Sequence, residues 1–276
     1  MMKRSIAKRS LAAVLTMTLG MLLAFSNVSA QGSSSPTLQR IAKTETLKVG
    51  MSAAQPPFNL KNRDGNTIGM DVDLAGLLAV SMGVKLEIVE LPFADLLGAL
   101  EAGKVDLVVS GMTATLERNT RVPFVGPYYI SGMSILTTSQ ALAAAQSTEQ
   151  LNQSDLRLAV LKGSTSEKFA KTFLGKAKIT STRDHAEAVA LLKEGKVGAV
   201  IADAPVAALS VLRNPDAGFV VSDPLTVEPI GIAVAPGDPL LVNLVENYVD
   251  ALAATGALEA LIKKWFSDSS WMAQMP

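Results

Sequence analysis

The sequence predicts an α/β fold, in which sheets with many parallel strands carry helices on their faces. Three observations lead there. Short apolar runs bounded by turn residues alternate with stretches of helical periodicity. The order strand-helix-strand-helix-strand, with short links, fills the first half of the chain. The second half repeats the scheme, with one internal echo: Leu100-Glu-Ala-Gly-Lys-Val105 leads into the apolar run Asp106 to Val109, and Leu192-Lys-Glu-Gly-Lys-Val197 leads into Gly198 to Ile201, an offset of 92 residues. Two equivalent lobes would produce such an echo, and so would a chance recurrence of helix-Gly-Lys-strand.

Taken in order, the first thirty residues read as a secretory leader. Lys3, Arg4, Lys8 and Arg9 form a basic start, Leu11 to Phe25 is apolar, and Val28-Ser29-Ala30 is a small-x-small cleavage site. The apolar run is shorter than the roughly twenty residues that span a bilayer, so stable membrane insertion is not expected. Gln31 to Thr44 is polar, with Ser33-Ser34-Ser35-Pro36, and reads as a flexible lead-in. Next come strand Leu47 to Met51, helix Val72 to Met82 with Asp71 as N-cap and Gly83 at its end, strand Lys85 to Val89, helix Ala94 to Ala102 and strand Val105 to Val109. The second half gives strand Arg157 to Val160, helix Ser166 to Leu174, helix Ala186 to Glu194, strand Val197 to Ile201 and helix Ala204 to Leu212. Strand Ile230 to Ala235 and helices Leu240 to Ala254 and Gly256 to Trp265 follow. If these return to the first lobe, the chain crosses between lobes near Tyr129 to Ser134 and Pro229 to Ile232, and two hinge strands containing Gly132 and Gly231 result. The expected division is 45–131 with 232–266 as lobe 1, 132–231 as lobe 2, and 267–276 as a tail.

Composition excludes several kinds of chemistry. The chain has no cysteine and one histidine, which removes thiol catalysis, disulfides and lipidation at a thiol, and leaves zinc little to hold. His185 follows Asp184 at a helix start, where a solvated or capping role is expected. Neither a Gly-x-Ser-x-Gly elbow nor a phosphate-binding or dinucleotide glycine motif occurs. The 25 basic and 25 acidic residues balance overall, but four basic and no acidic residues precede Gln31, which leaves 21 against 25 and a net charge of −4. Nucleic acid is therefore not an expected partner. No catalytic residue, metal or cofactor is assigned.

Open parallel sheets bind ligands beyond the carboxyl ends of their strands, which places Ser110-Gly111 and Ala202-Asp203 at the mouth of any cleft. Gly111 allows close backbone approach, Thr113 offers a hydroxyl and an N–H, and Arg118 carries a planar fork suited to a carboxylate. Gly163-Ser-Thr-Ser166 opens a helix, where free N–H groups favour an anion. Asp203 could hold a cation. Facing each other across a closable gap, these groups suit a zwitterion, whereas Arg118 paired with a neighbouring Glu on a helix surface is the alternative.

At these residues the sequence resembles the bacterial extracellular solute-binding proteins of the polar amino-acid class, which feed ABC importers. The likeness runs from about Leu47 to Phe266. Its marks are Pro57-Phe58, Gly69-Met-Asp-Val-Asp73, Ser110-Gly-Met-Thr-Ala-Thr-Leu-Glu-Arg118, Pro127-Tyr128-Tyr129, Lys162-Gly-Ser-Thr-Ser166, Ile201-Ala-Asp203 and Lys264-Trp265-Phe266. The resemblance implies the two-lobed periplasmic-binding-protein fold, a monomer in the periplasm, a free amino acid as ligand and a membrane permease as partner, without enzymatic activity. It also implies Arg118 as clamp for the ligand carboxylate, helped by the N–H groups of Thr113 and Thr165 and by Ser166. Asp203 would take the ammonium, with the Ser110 carbonyl and the Thr113 hydroxyl, and Phe93 would wall the side-chain pocket. Gln55 stands where many relatives carry an aromatic residue. Ser52 stands where binders of cationic or amide side chains often carry an acid, which argues against lysine, arginine or ornithine and favours a neutral or small polar ligand. Two rival readings share the scaffold: an enzyme of the cyclohexadienyl (arogenate or prephenate) dehydratase type, and a ligand-sensing module.

Overall fold

The computed structural model describes residues 35–145 and 147–275, so the expected leader lies outside the described residues. Helix α1 (Pro36–Thr44) begins where a flexible lead-in was expected. Pro36 pre-sets its first turn, Ile41 is buried, and Asp238 accepts hydrogen bonds from Ser35 Oγ at 2.6 Å and from the Thr37 N–H at 2.9 Å. Arg40 also pairs with Asp106. The segment is too short and too polar to signal a helix by itself; docking onto the lobe decides it.

Strand β1 (Thr46–Met51) starts the first sheet, and β2 (Ala54–Gln55), β3 (Asn59–Lys61) and β4 (Thr67–Ile68) form a small antiparallel sheet beside it. Helix α2 (Met70–Ser81), β5 (Lys85–Glu90), α3 (Leu96–Glu101) and β6 (Leu107–Val108) complete the parallel crossover units. A single turn, α4 (Leu116–Asn119), leads into β7 (Phe124–Ser131), and beyond Gly132 the chain enters a second sheet as β8 (Met133–Thr137). There β9 (Arg157–Leu161), α5 (Thr165–Phe173), β10 (Lys178–Thr182), α6 (His185–Lys193) and β11 (Ala199–Asp203) repeat the alternation, followed by α7 (Ala204–Arg213) and β12 (Val220–Val221). Strand β13 (Glu228–Val234) rejoins the first sheet, and α8 (Pro239–Ala254) and α9 (Ala257–Ile262) follow.

The two sheets have the same plan. Their orders are β5-β1-β6-β13-β7 and β10-β9-β11-β8-β12, and β6 and β11, the strands of the 92-residue echo, each take third place. Strands of the crossover units run parallel; those carrying the chain between sheets run antiparallel, so each sheet is mixed. One apolar cluster surrounds the first sheet, and two flank the second. Leu161 and Leu209 come from the second lobe yet are buried in the first lobe's cluster, so the lobes touch.

Two local expectations need correcting. Asp71 is not the N-cap of α2, a position held by Gly69; it lies in the first turn with its side chain fully buried. His185 is neither solvated nor capping: Asp184 caps α6 by accepting from the Glu187 N–H at 2.8 Å, and the imidazole turns inward, 5% exposed. The expected tail is packed, with Trp271 and Met275 buried and the Met275 carbonyl accepting from Arg63 Nε at 2.6 Å. Among the described residues, no helix is long and apolar enough to cross a membrane.

Candidate functional site

The candidate residues gather where the two lobes meet. Arg118 projects from α4, whose N-cap Thr115 accepts the Arg118 backbone N–H at 3.2 Å. Its guanidinium does not pair with a neighbouring Glu; it donates to the Thr113 carbonyl at 2.7 Å and, across the gap, to the Gly163 carbonyl at 3.0 Å. It also stands over the Phe93 ring, 5.7 Å from the centroid. Burial pulls its pKa down, while Glu228 and Asp203 hold the charge on it. Neighbouring Glu117 instead pairs with Lys168 of the other lobe.

Arg118, Phe93, Gly163 and Thr165 line one cavity of about 480 Å³. Thr165 opens α5, capped by Ser164 Oγ, which accepts the Glu167 N–H at 3.1 Å; Ser166 beside it is buried. Gly163 has φ +77°, and a Cβ there would lie 2.9 Å from Ala94 Cα of the other lobe, so no larger residue permits this approach. On its other side Phe93 lines a smaller cavity of about 210 Å³ with Ser52, Leu161, Arg183 and Asp184.

Asp203 ends β11 and is half-buried. Gln55 reaches it from the first lobe, donating from Nε2 to its carboxylate at 2.9 Å. Burial, reinforced by the charge of Glu228, raises the Asp203 pKa to about 7; Arg118 and Gln55 oppose this. Gln55 is itself 2% exposed and fills the space under Gly111 (φ +55°), where a Cβ would fall 2.7 Å from its Nε2. The position expected to lack one aromatic wall thus holds an amide that links the lobes.

Ser110, Ser52 and Thr113 have other immediate partners. Ser110 is fully buried, and its Oγ accepts from the Ser52 N–H at 2.9 Å. Ser52 Oγ donates to Asn59 Oδ1 at 2.8 Å. Thr113 bridges to Ile230 of β13. Beneath this loop lies a network absent from the sequence reading. Asp71 accepts from Tyr128 Oη at 2.7 Å and from Asn59 Nδ2 at 2.7 Å, and burial raises its pKa to about 6. Glu228, 5% exposed and hydrogen-bonded by Thr226 Oγ1 at 3.0 Å, was also missed. Its only sequence signal is an acid just before an apolar strand. Among the described residues, no group of three His, Cys, Asp or Glu side chains is arranged to hold a metal.

The arrangement sets a cation, Arg118, and two acids, Asp203 and Glu228, within one another's field where the lobes meet. Such a site can orient a small charged molecule.

The chain is 32% identical to the L-arginine-binding protein of Pseudomonas aeruginosa, with 84% of this chain and 92% of that protein covered. It is 29% identical to the cyclohexadienyl dehydratase of the same organism, over 88% and 90%. In structure it resembles an ancestral amino acid-binding protein described as a precursor of cyclohexadienyl dehydratase, with TM-score 0.77, 40% identity and coverage of 83% and 99%. Two lobes of mixed sheet and helix, with the polar groups of both turned to one cleft, agree with these likenesses, and through residues 47–268 the chain belongs to the bacterial extracellular solute-binding proteins, family 3.

Proposed function

We propose that this protein binds one free amino acid between its lobes, closes on it by hinge motion, and delivers it in the periplasm to the membrane permease of an ABC importer, as a monomer and without chemical conversion. The observation that carries the reading is Arg118 of one lobe bonded to the Gly163 carbonyl of the other, within the field of Asp203 and beside a cavity lined by Phe93 and Thr165. A guanidinium has more donors than its two carbonyl partners use, so it can also grip a ligand carboxylate. The N–H groups of Thr113 and Thr165, with Ser166, assist it; Asp203, the Ser110 carbonyl and the Thr113 hydroxyl take the ammonium; Phe93 walls the side chain. The hinge divides the chain into 45–131 with 232–266 and 132–231.

Ligand docks first on the lobe carrying Arg118 and Phe93, and closure adds Asp203 and the Thr165 loop. Only the closed form makes both sets of contacts, so ligand selects it. Micromolar affinity, about −8 kcal/mol, lies within reach of a ligand of about ten heavy atoms. A neutral or small polar side chain is favoured, because Ser52 carries no charge and its hydroxyl is already spent on Asn59.

A thermal-shift screen against the free amino acids, with arogenate and prephenate included, tests this. At least one amino acid should raise the melting point and be recovered unchanged. Dehydration of either cyclic acid would favour the enzyme reading that the dehydratase relative suggests.

A further inference from the structure

The Gln55 amide is placed for a task other than touching ligand. It is buried, and it borders neither of the cavities that Phe93 lines. Its Nε2 faces two acceptors at once, the Gly111 carbonyl of its own lobe at 3.3 Å and the Asp203 carboxylate of the other lobe at 2.9 Å. Only the nitrogen end of an amide can meet two acceptors, which fixes the orientation of the group. The Oε1 end is buried without a partner, so the amide is held by its donor end alone. Both ends of the bond are carried by strands: Gln55 pairs with Asn59 between β2 and β3, and Asp203 with Met133 between β11 and β8. Neither can follow the other, so a rotation of one lobe against the other breaks the bond. Two further bonds cross the gap. Lys168 and Glu117 form an exposed pair, which contributes little, and the Arg118 guanidinium is shared with the expected ligand carboxylate.

We propose that Gln55 is a positioning residue for closure: by bonding Asp203 across the gap it holds the lobes together with or without a ligand between them, and it aims the carboxylate that the ligand ammonium is to meet. This rests on the reading of Asp203 and of the hinge given above. A carboxylate has two oxygens, so one takes the amide and the other is left for the ammonium. Only the closed form makes the Gln55 bond, so the bond raises the share of the protein that is competent to hold a ligand at both ends. Every amino acid gains by the same factor, whereas a residue walling the pocket would change the ranking of ligands.

The chain has no cysteine, so a spin-label pair at Leu116→Cys on α4 and Lys176→Cys beyond α5, both exposed, reports the distance between the lobes without competing labels. Distances are measured without amino acid in this labelled parent and in the same protein carrying Gln55→Met, Gln55→Asn, Asp203→Leu, or Gln55→Met with Asp203→Leu. Gln55→Met keeps the length of the side chain without its donor, and Gln55→Asn keeps the amide but leaves it one methylene short. A short-distance population is expected in the parent. It should fall about fivefold or more relative to the open one in each single variant, and no further in the double variant. A distribution that is the same in the parent and both Gln55 variants, or losses that add in the double variant, overturns the proposal. If the distribution is the same but the amino acid that raises the melting point shortens the distance, the hinge reading stands without the Gln55 bond. A distance that neither substitution nor amino acid moves overturns both.

Discussion

Asp71 shows how much one buried side chain supports here. It carries no ligand contact in our reading, yet its carboxylate gathers Tyr128 and Asn59 beneath the Ser110-Gly111 loop that faces the cleft. Its pKa is about 6 in the folded protein, up from an ordinary value of 3.8, chiefly through burial. Between those values the folded state holds a proton that the unfolded chain has released, so the Asp71 contribution to stability grows as pH falls from about 6 to about 4. His185 acts in the opposite sense: its folded pKa of about 4 lies below the ordinary 6.5, so its contribution is lost over the same acid range. Asp71→Asn removes the first effect alone. Denaturant melts should show the variant gaining less, or losing more, than wild type on acidification through that window. A difference between the two proteins that does not change with pH would refute the titration.

At the scale of elements, strands and helices with a strong period were legible, and those defined by a partner were not. Helices α2, α5, α6, α7 and α8 fall within about two residues of their expected bounds. Strands β2, β3 and β4 are two or three residues long, too short for alternation to register, and β10 (Lys-Ile-Thr-Ser-Thr) is mostly polar, reading as a loop until it pairs with β9. The sequence singles out Arg118 and Asp203 because each closes a recognisable local run, and the structure brings both to the junction of the lobes. The partnership of Gln55 with Asp203 was not legible, since it spans 148 residues and depends on how the lobes meet. The loop ahead of α5 permits a test at this scale. Gly163→Ala places a methyl against the Ala94 backbone and asks an L-residue to hold φ +77°. Ligand affinity should fall by roughly 1–3 kcal/mol by calorimetry. An affinity within about 0.5 kcal/mol of wild type would show that this approach of the lobes is not used.

The whole molecule gains its cleft from repetition with a twist in connectivity. Two sheets of the same plan are joined where β7 passes into β8 and where β12 passes to β13, so the lobes share two backbone crossings. Each lobe has its own apolar clusters, bridged where Leu161 and Leu209 of the second join the cluster of the first, and the polar groups that meet at the junction come from both. A ligand held by one lobe alone would bind without closure; one held by both couples affinity to the hinge. Titration calorimetry of wild type and R118A against the amino acid that most raises the melting point tests this division of labour most directly. We predict one-to-one binding by wild type and a loss of about 3–5 kcal/mol in R118A, the unpaired ligand carboxylate being left in the cleft. Equal affinity in the two proteins would contradict it.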